Sequence, residues 1–228
     1  MQPLLLLHGA IGASGQLQGL AAELSDSYQV YMPDFTGHGG RQDTDGPFSI
    51  RLFADDVLRF MDKEQLDKVS VFGYSMGGYV AMYLARHYPD KIEKVVTLAT
   101  KYNWDEAIAA KEVQMLNPEK IEQKLPAFAA TLAKMHAPND WKLLLLKTAA
   151  MMMEMGKDNP LKPADYPGIS APALLLIGDR DRMITLDETL AAYRELPAAA
   201  MGMLPATGHP IEQVDAALLA IMIQRFLA

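Results

Sequence analysis

Apolar residues along this chain fall into short unbroken runs, separated by longer stretches in which they recur every three or four positions. The runs at 3–7, 29–32, 68–72, 95–98, 173–177 and, more weakly, 200–204 are short and mostly rich in Leu, Ile, Val or Phe. Runs of that length and composition predict β-strands. The stretches 14–24, 49–61, 76–87, 186–196 and 211–227 carry the helical period and predict helices. Several strands are apolar on consecutive residues, as in Leu4-Leu5-Leu6-Leu7 and Leu174-Leu175-Leu176-Ile177. A strand apolar on both faces is covered on both faces. The pattern therefore predicts an α/β fold, a doubly wound and mostly parallel sheet of about six strands with helices on either side.

The alternation stops between residues 101 and 167, where no strand candidate occurs. Asn103-Trp104-Asp105-Glu106 reads as a helix N-cap with a carboxylate three positions on. Asn117-Pro118 and Asn139-Asp140 read as two more starts, an N-cap followed by a proline or an acid. Pro126 divides or kinks the second helix, and Gly156 can end the last. Residues 1–100 and 168–228 thus form an expected core domain, and 101–167 an inserted lid of three or four helices.

Composition narrows the partners. A 228-residue chain, 50% hydrophobic and 21% charged, is long enough to bury a full core. The net charge of −7 argues against nucleic acid or an anionic membrane surface. Nine Lys against nine Asp and Glu lie in 101–167, so the excess negative charge belongs to the expected core. The absence of cysteine excludes disulfides, thiolate chemistry and cysteine-ligated metals. Met1-Gln2-Pro3 lacks a basic leader and Leu4–Leu7 is too short to span a bilayer, so a cytoplasmic protein is the expectation.

The candidate chemistry centres on Gly73-Tyr74-Ser75-Met76-Gly77, between a predicted strand and a predicted helix. A serine on so tight a turn projects its hydroxyl above the sheet, flanked by glycines because side chains there would clash. Serine needs an adjacent base, the base an orienting acid, and the developing oxyanion its donors. Each is sought in loops after strands, which converge on one rim of a parallel sheet. Of five histidines, His209 lies after the last strand and before the terminal helix, and is the expected base. His8 and His38 sit in glycine-rich loops, where capping of backbone groups is the expected role. The loop Gly178-Asp179-Arg180-Asp181-Arg182 offers two acids. Asp181, deeper in the loop, is favoured, with Asp179 expected to bond backbone or a neighbouring arginine. The N–H groups of Met76 and Ala10 are the expected oxyanion donors. Ile11, Trp104, His136, Met151 and Met152 are candidate substrate contacts; for the lid methionines, packing within a helical layer is the competing reading.

With these residues in order, the chain resembles proteins of the α/β-hydrolase fold over nearly its full length. The resemblance rests on Leu6-Leu7-His8-Gly9, Pro33-Asp34-Phe35-Thr36-Gly37-His38-Gly39, Gly73 to Gly78, Gly178 with Asp181, and Gly208-His209. It implies Ser75 as nucleophile, His209 as base, Asp181 as acid, and a helical cap after the sixth of the usual eight strands, the two leading strands being absent here. It also implies no metal and no organic cofactor. Serine at the elbow argues against the haloalkane dehalogenase and epoxide hydrolase relatives, which use aspartate. The elbow is similar to those of carboxylesterases, monoacylglycerol lipases and the menaquinone-pathway lyase, although Tyr79 stands where that lyase has arginine. The expected function is a serine hydrolase cleaving a small or medium carboxylic ester or related acyl compound. A C–C hydrolase or cofactor-free lyase with the same triad is the first alternative, and a non-catalytic ligand-binding member of the fold the second.

Overall fold

The computed structural model describes residues 1–228. Six strands form one sheet: β1 (Gln2–Leu7), β2 (Tyr28–Tyr31), β3 (Val69–Tyr74), β4 (Ile92–Leu98), β5 (Ala173–Gly178) and β6 (Ala199–Leu204). Their spatial order is β2-β1-β3-β4-β5-β6 and every pair is parallel. The chain winds outward from β1 in one direction, then returns through β3 and builds to the other edge.

The consecutive apolar runs account for the two cores. Side chains alternate across a strand, so Leu5 and Leu7 enter one cluster while Leu4 and Leu6 enter the other. Val71 and Leu175 join the first; Phe72, Leu174 and Leu176 join the second. The first face is covered by α2 (Ile50–Lys63), α3 (Met76–His87) and α8 (Leu186–Glu195). The second is covered by α1 (Gln18–Leu24) and α9 (Ala216–Leu227). Two expected helices are shorter than their apolar period. Residues 14–17 form a 3-10 turn before α1, and 211–213 another before α9, whose cap is Asp215 accepting from the Leu218 N–H at 3.0 Å.

Between β4 and β5 the chain inserts α4 (Glu106–Glu112), α5 (Pro118–Lys124), α6 (Pro126–His136) and α7 (Trp141–Lys157). Pro126 does divide a helical stretch, separating α5 from α6. Two caps lie downstream of the expected residue. Asp105, not Asn103, caps α4 by accepting from the Ile108 N–H at 2.7 Å. Asp140, not Asn139, caps α7, because the Asn139 amide donates instead to the carbonyls of Gly37 and Arg41. Gly156 does not end α7, which runs one residue further; Gly156 instead admits the Asp105 backbone and Ala109 at close approach. The insertion has a small cluster of its own, Leu116, Ile121, Ala129, Leu132 and Leu145, while Leu144, Met151 and Met155 of α7 enter the first core. No helix is long and apolar enough to cross a membrane.

Candidate active site

β3 ends at Tyr74 and α3 begins at Met76, leaving Ser75 alone to turn the chain. It does so at φ 52° and ψ −116°, a region that costs a non-glycine residue about 1–3 kcal/mol. Neighbouring bonds hold it there. The Ser75 N–H donates to Leu98 O at 2.8 Å, and Ser75 O accepts from Gly78 N–H at 3.0 Å and from the Thr100 hydroxyl at 3.2 Å. The flanking glycines are sterically required: a Cβ on Gly73 would overlap the Gly77 carbonyl, and one on Gly77 the Leu7 carbonyl of β1. The first N–H groups of α3 have no partner inside the helix, and the Met76 N–H is the first of them.

The loops after β5 and β6 supply an imidazole and a carboxylate. His209 Nδ1 lies 2.8 Å from Asp181 Oδ2. The other oxygen of Asp181 accepts from the N–H groups of Met183 at 2.8 Å and Ile184 at 2.9 Å, and its side chain is fully buried. Burial alone would raise the Asp181 carboxyl, but the hydrogen bonds from His209, Ile184 and Met183 outweigh it and hold the group below the usual carboxylate range. An ionised Asp181 can only accept, so the Nδ1 contact is a hydrogen bond donated by His209, and Nε2 is left without a protein partner. Asp179 is exposed and turned elsewhere: its Oδ1 accepts from Thr207 N–H at 3.0 Å. Backbone N–H groups of Ala206 and Thr207 hold its carboxyl below the usual range. Tyr74, next to the elbow serine, donates its hydroxyl to His209 O at 3.0 Å, joining β3 to the histidine loop. No hydrogen bond joins Ser75 to His209, and such contacts commonly close only when substrate is bound.

Ser75 opens on a chamber of about 40 Å³. Ala10, Ile50, Met76 and Tyr79 line it from the sheet side, and Lys101, Trp104, Met151, Met152 and Met155 from β4's exit and the insertion. Trp104, Met151 and Met152 therefore stand where substrate contacts were expected. Ile11 and His136 do not. Ile11 is not on the chamber wall; it packs against both the insertion's own cluster and the first core. His136 is fully buried and both ring nitrogens are occupied: Nδ1 accepts from Gly39 N–H at 3.2 Å, and Nε2 faces Ile11 O at 3.0 Å. It ties α6 to the loop that carries Ala10, and Ile11 there adopts φ 53°. Ile50, Tyr79 and Lys101 escaped the sequence reading, and Met155 was weighed only as one of the lid methionines. Met155 lies one helical turn beyond Met151 on α7, whereas Ile50 and Lys101 depend on contacts between distant segments. The Tyr79 hydroxyl is engaged by Asn159 Oδ1 and by the Leu161 N–H, whereas the Trp104 indole N–H is buried without a partner.

Three histidines cluster beneath the loops, their rings tilted or edge-on to one another. His8 lies between Gly9 O (2.8 Å from Nδ1) and the Phe35 N–H (3.3 Å from Nε2), and His38 Nδ1 meets Thr36 O at 3.0 Å. Ring centroids are 5.2 Å apart for His8 and His38 and 5.8 Å for His38 and His136. Burial pushes His8 down to about 4 and lowers the other two as well, although Asp34 stands 3.8 Å from His8. All three are neutral in the fold at pH 7, whereas histidines of the unfolded chain take up protons near ~6.5. Between pH 6.5 and 4 the unfolded state binds more protons, so stability is full above that window and lost as pH falls through it. His8 alone contributes about 3 kcal/mol over the window. Thermal melts at pH 7.5 and 5.0 should show a clear fall in Tm, and an unchanged Tm would contradict this account.

The family model described as alpha/beta hydrolase fold matches residues 2–137. An esterase of Escherichia coli (strain K12), YbfF, is 26% identical over 239 aligned residues, covering 96% of this chain and 91% of the relative. The solved structure of a thermophilic esterase from Thermogutta terrifontis superposes with a TM-score of 0.78 at 25% identity, covering 100% of this chain and 89% of that one. The enol-lactonase from Burkholderia xenovorans LB400 also superposes at 0.78, with 21% identity and coverage of 99% and 91%. A family match over more than half the chain, carried on a six-stranded parallel sheet with its serine elbow, means that this protein belongs to the α/β-hydrolase family.

Proposed function

We propose that the protein is a serine hydrolase that cleaves carboxylic esters with a short acyl group through an acyl-enzyme on Ser75. The observation that carries this reading is the strained Ser75 turn facing a small chamber, with the His209–Asp181 pair, its carboxylate fully buried, on the adjoining loops. Ser75 Oγ attacks the ester carbonyl carbon while His209 Nε2 takes its proton. The N–H groups of Met76 and Ala10, both on the chamber wall, stabilise the oxyanion. As the tetrahedral species collapses, the C–O bond breaks and His209 returns the proton to the departing alcohol. Water, deprotonated by His209, then attacks the acyl-enzyme and releases the acid and free Ser75. The helices of 101–167 act as a lid, Trp104 and the α7 methionines forming the chamber roof.

Chamber size argues for a short acyl group. One water-sized group needs about 10–15 Å³ by this measure, so about 40 Å³ holds roughly three. Its lining also weighs against the lyase alternative with a polyanionic substrate. The single cation on the wall is Lys101, and its ammonium is already 3.5 Å from Glu112 and 3.6 Å from Glu188. The relatives named as esterases point the same way. Hydrolysis of p-nitrophenyl esters from acetate to decanoate tests the proposal. Turnover should be greatest at two to four acyl carbons and fall steeply beyond. A folded protein that hydrolyses none of them would overturn it.

A further inference from the structure

Lys101 lies on the boundary between two cavities. Besides the chamber at Ser75 it lines a space of about 700 Å³ between the start of the insertion, α8 and the loop after β5. That volume falls within the range of small-molecule sites, of order 300–1,000 Å³. The two spaces diverge around one short segment: Tyr102 and Asn103 face the larger, Trp104 the smaller, and Lys101 both. The lysine is held in place. Its Nζ donates to Met183 O at 3.2 Å and pairs with Glu112 and Glu188, and all three of those residues line the larger space. Only 14% of its side chain is exposed. The ammonium is therefore anchored on the far side, and the stem remains as the wall seen from Ser75.

We propose that Lys101 is a specificity-determining residue whose stem closes the Ser75 chamber against the 700 Å³ space and so limits acyl length; this rests on the ester-hydrolase reading above. A lysine stem serves better here than an apolar residue of the same length, because ion pairs and a backbone acceptor fix its end. Shortening the side chain to Cβ joins the two spaces and admits a chain of eight or ten carbons past the Ser75 carbonyl position. The larger space would then hold the tail.

The test is the p-nitrophenyl series on wild type, Lys101→Ala and Lys101→Met, with folding checked by thermal melts. Lys101→Ala should raise the ratio of kcat/KM for octanoate over acetate by about tenfold or more, a difference of the size hydrophobic pockets impose. Lys101→Met, which keeps a long stem without the charge, should retain the short-chain optimum. Should Lys101→Ala not fold because Glu112 and Glu188 lose their counter-ion, the Lys101→Ala/Glu112→Gln double variant replaces it with less buried charge left over. A folded, active Ala variant with the wild-type chain-length profile would overturn the proposal. So would a Met variant that shifts as far as the Ala variant, since the block would then be the charge and not the stem. If wild type hydrolyses no ester of any length, it is the ester-hydrolase reading that fails, and the two failures are told apart.

Discussion

Ser75→Ala is expected to slow ester hydrolysis by about four orders of magnitude or more while the protein stays folded. The loss is large because the other nucleophile types on the chamber wall are engaged elsewhere: the Lys101 ammonium is paired with Glu112 and Glu188, and the Tyr79 hydroxyl is bonded to Asn159 and Leu161. It is not complete, since oxyanion donors and a fitted chamber retain part of the catalysis. Stability should change little. Alanine meets the same φ penalty as serine, and the bonds that fix the turn use the Ser75 backbone, which the substitution leaves intact. Rates on p-nitrophenyl acetate and melting curves measure both. A third readout isolates the covalent step: wild type treated with a sulfonyl fluoride should gain one sulfonyl adduct by intact-protein mass, with loss of fluoride, and the variant none. An adduct on Ser75→Ala at the wild-type rate would place the nucleophile elsewhere.

Asp181→Asn should be nearly as damaging, by about three to four orders of magnitude in kcat. Asparagine can still accept from the N–H groups of Met183 and Ile184 through its carbonyl oxygen. Its amide nitrogen then faces His209 Nδ1, where Asp181 Oδ2 stands at 2.8 Å. An amide donor there favours a ring whose proton sits on Nε2, the wrong tautomer for taking a proton from Ser75. Asp179→Asn provides the contrast. Asp179 is exposed, its bond from Thr207 N–H survives in an asparagine, and His209 is not among its partners. Activity within a few fold of wild type is expected there. If Asp179→Asn proves the more harmful of the two, Asp181 is not the orienting acid.

Most of the scaffold was legible from local pattern. The runs of four leucines in β1 and three plus isoleucine in β5 announce strands covered on both faces, and the structure divides those residues between two cores. The Ser75 elbow was legible because glycine placement there answers to sterics within a few residues. Helix starts in the insertion were legible only to within a residue or two. Asn103 and Asp105, or Asn139 and Asp140, are all competent caps, and a tertiary contact chooses: the loop at Gly37–Arg41 takes the Asn139 amide and leaves Asp140 to the helix. His136 and Lys101 were opaque for the same reason. Their partners lie 125 residues away at Ile11 and 82 away at Met183, and nothing local distinguishes a buried tie from a residue facing the ligand.

The ties at His136 and Asn139 bear on how freely the insertion could be exchanged for another. Through them the connection from α6 to α7 grips two separate segments of the core, the Ile11 carbonyl on one side and Gly37, Gly39 and Arg41 on the other. A foreign helical segment spliced between β4 and β5 would leave those backbone groups without their partners, next to the loop bearing Ala10. The insertion and the core are thus not independent parts, and a chimaera that swapped one without replacing these bonds would disturb the loop bearing Ala10 before it altered the shape of the chamber.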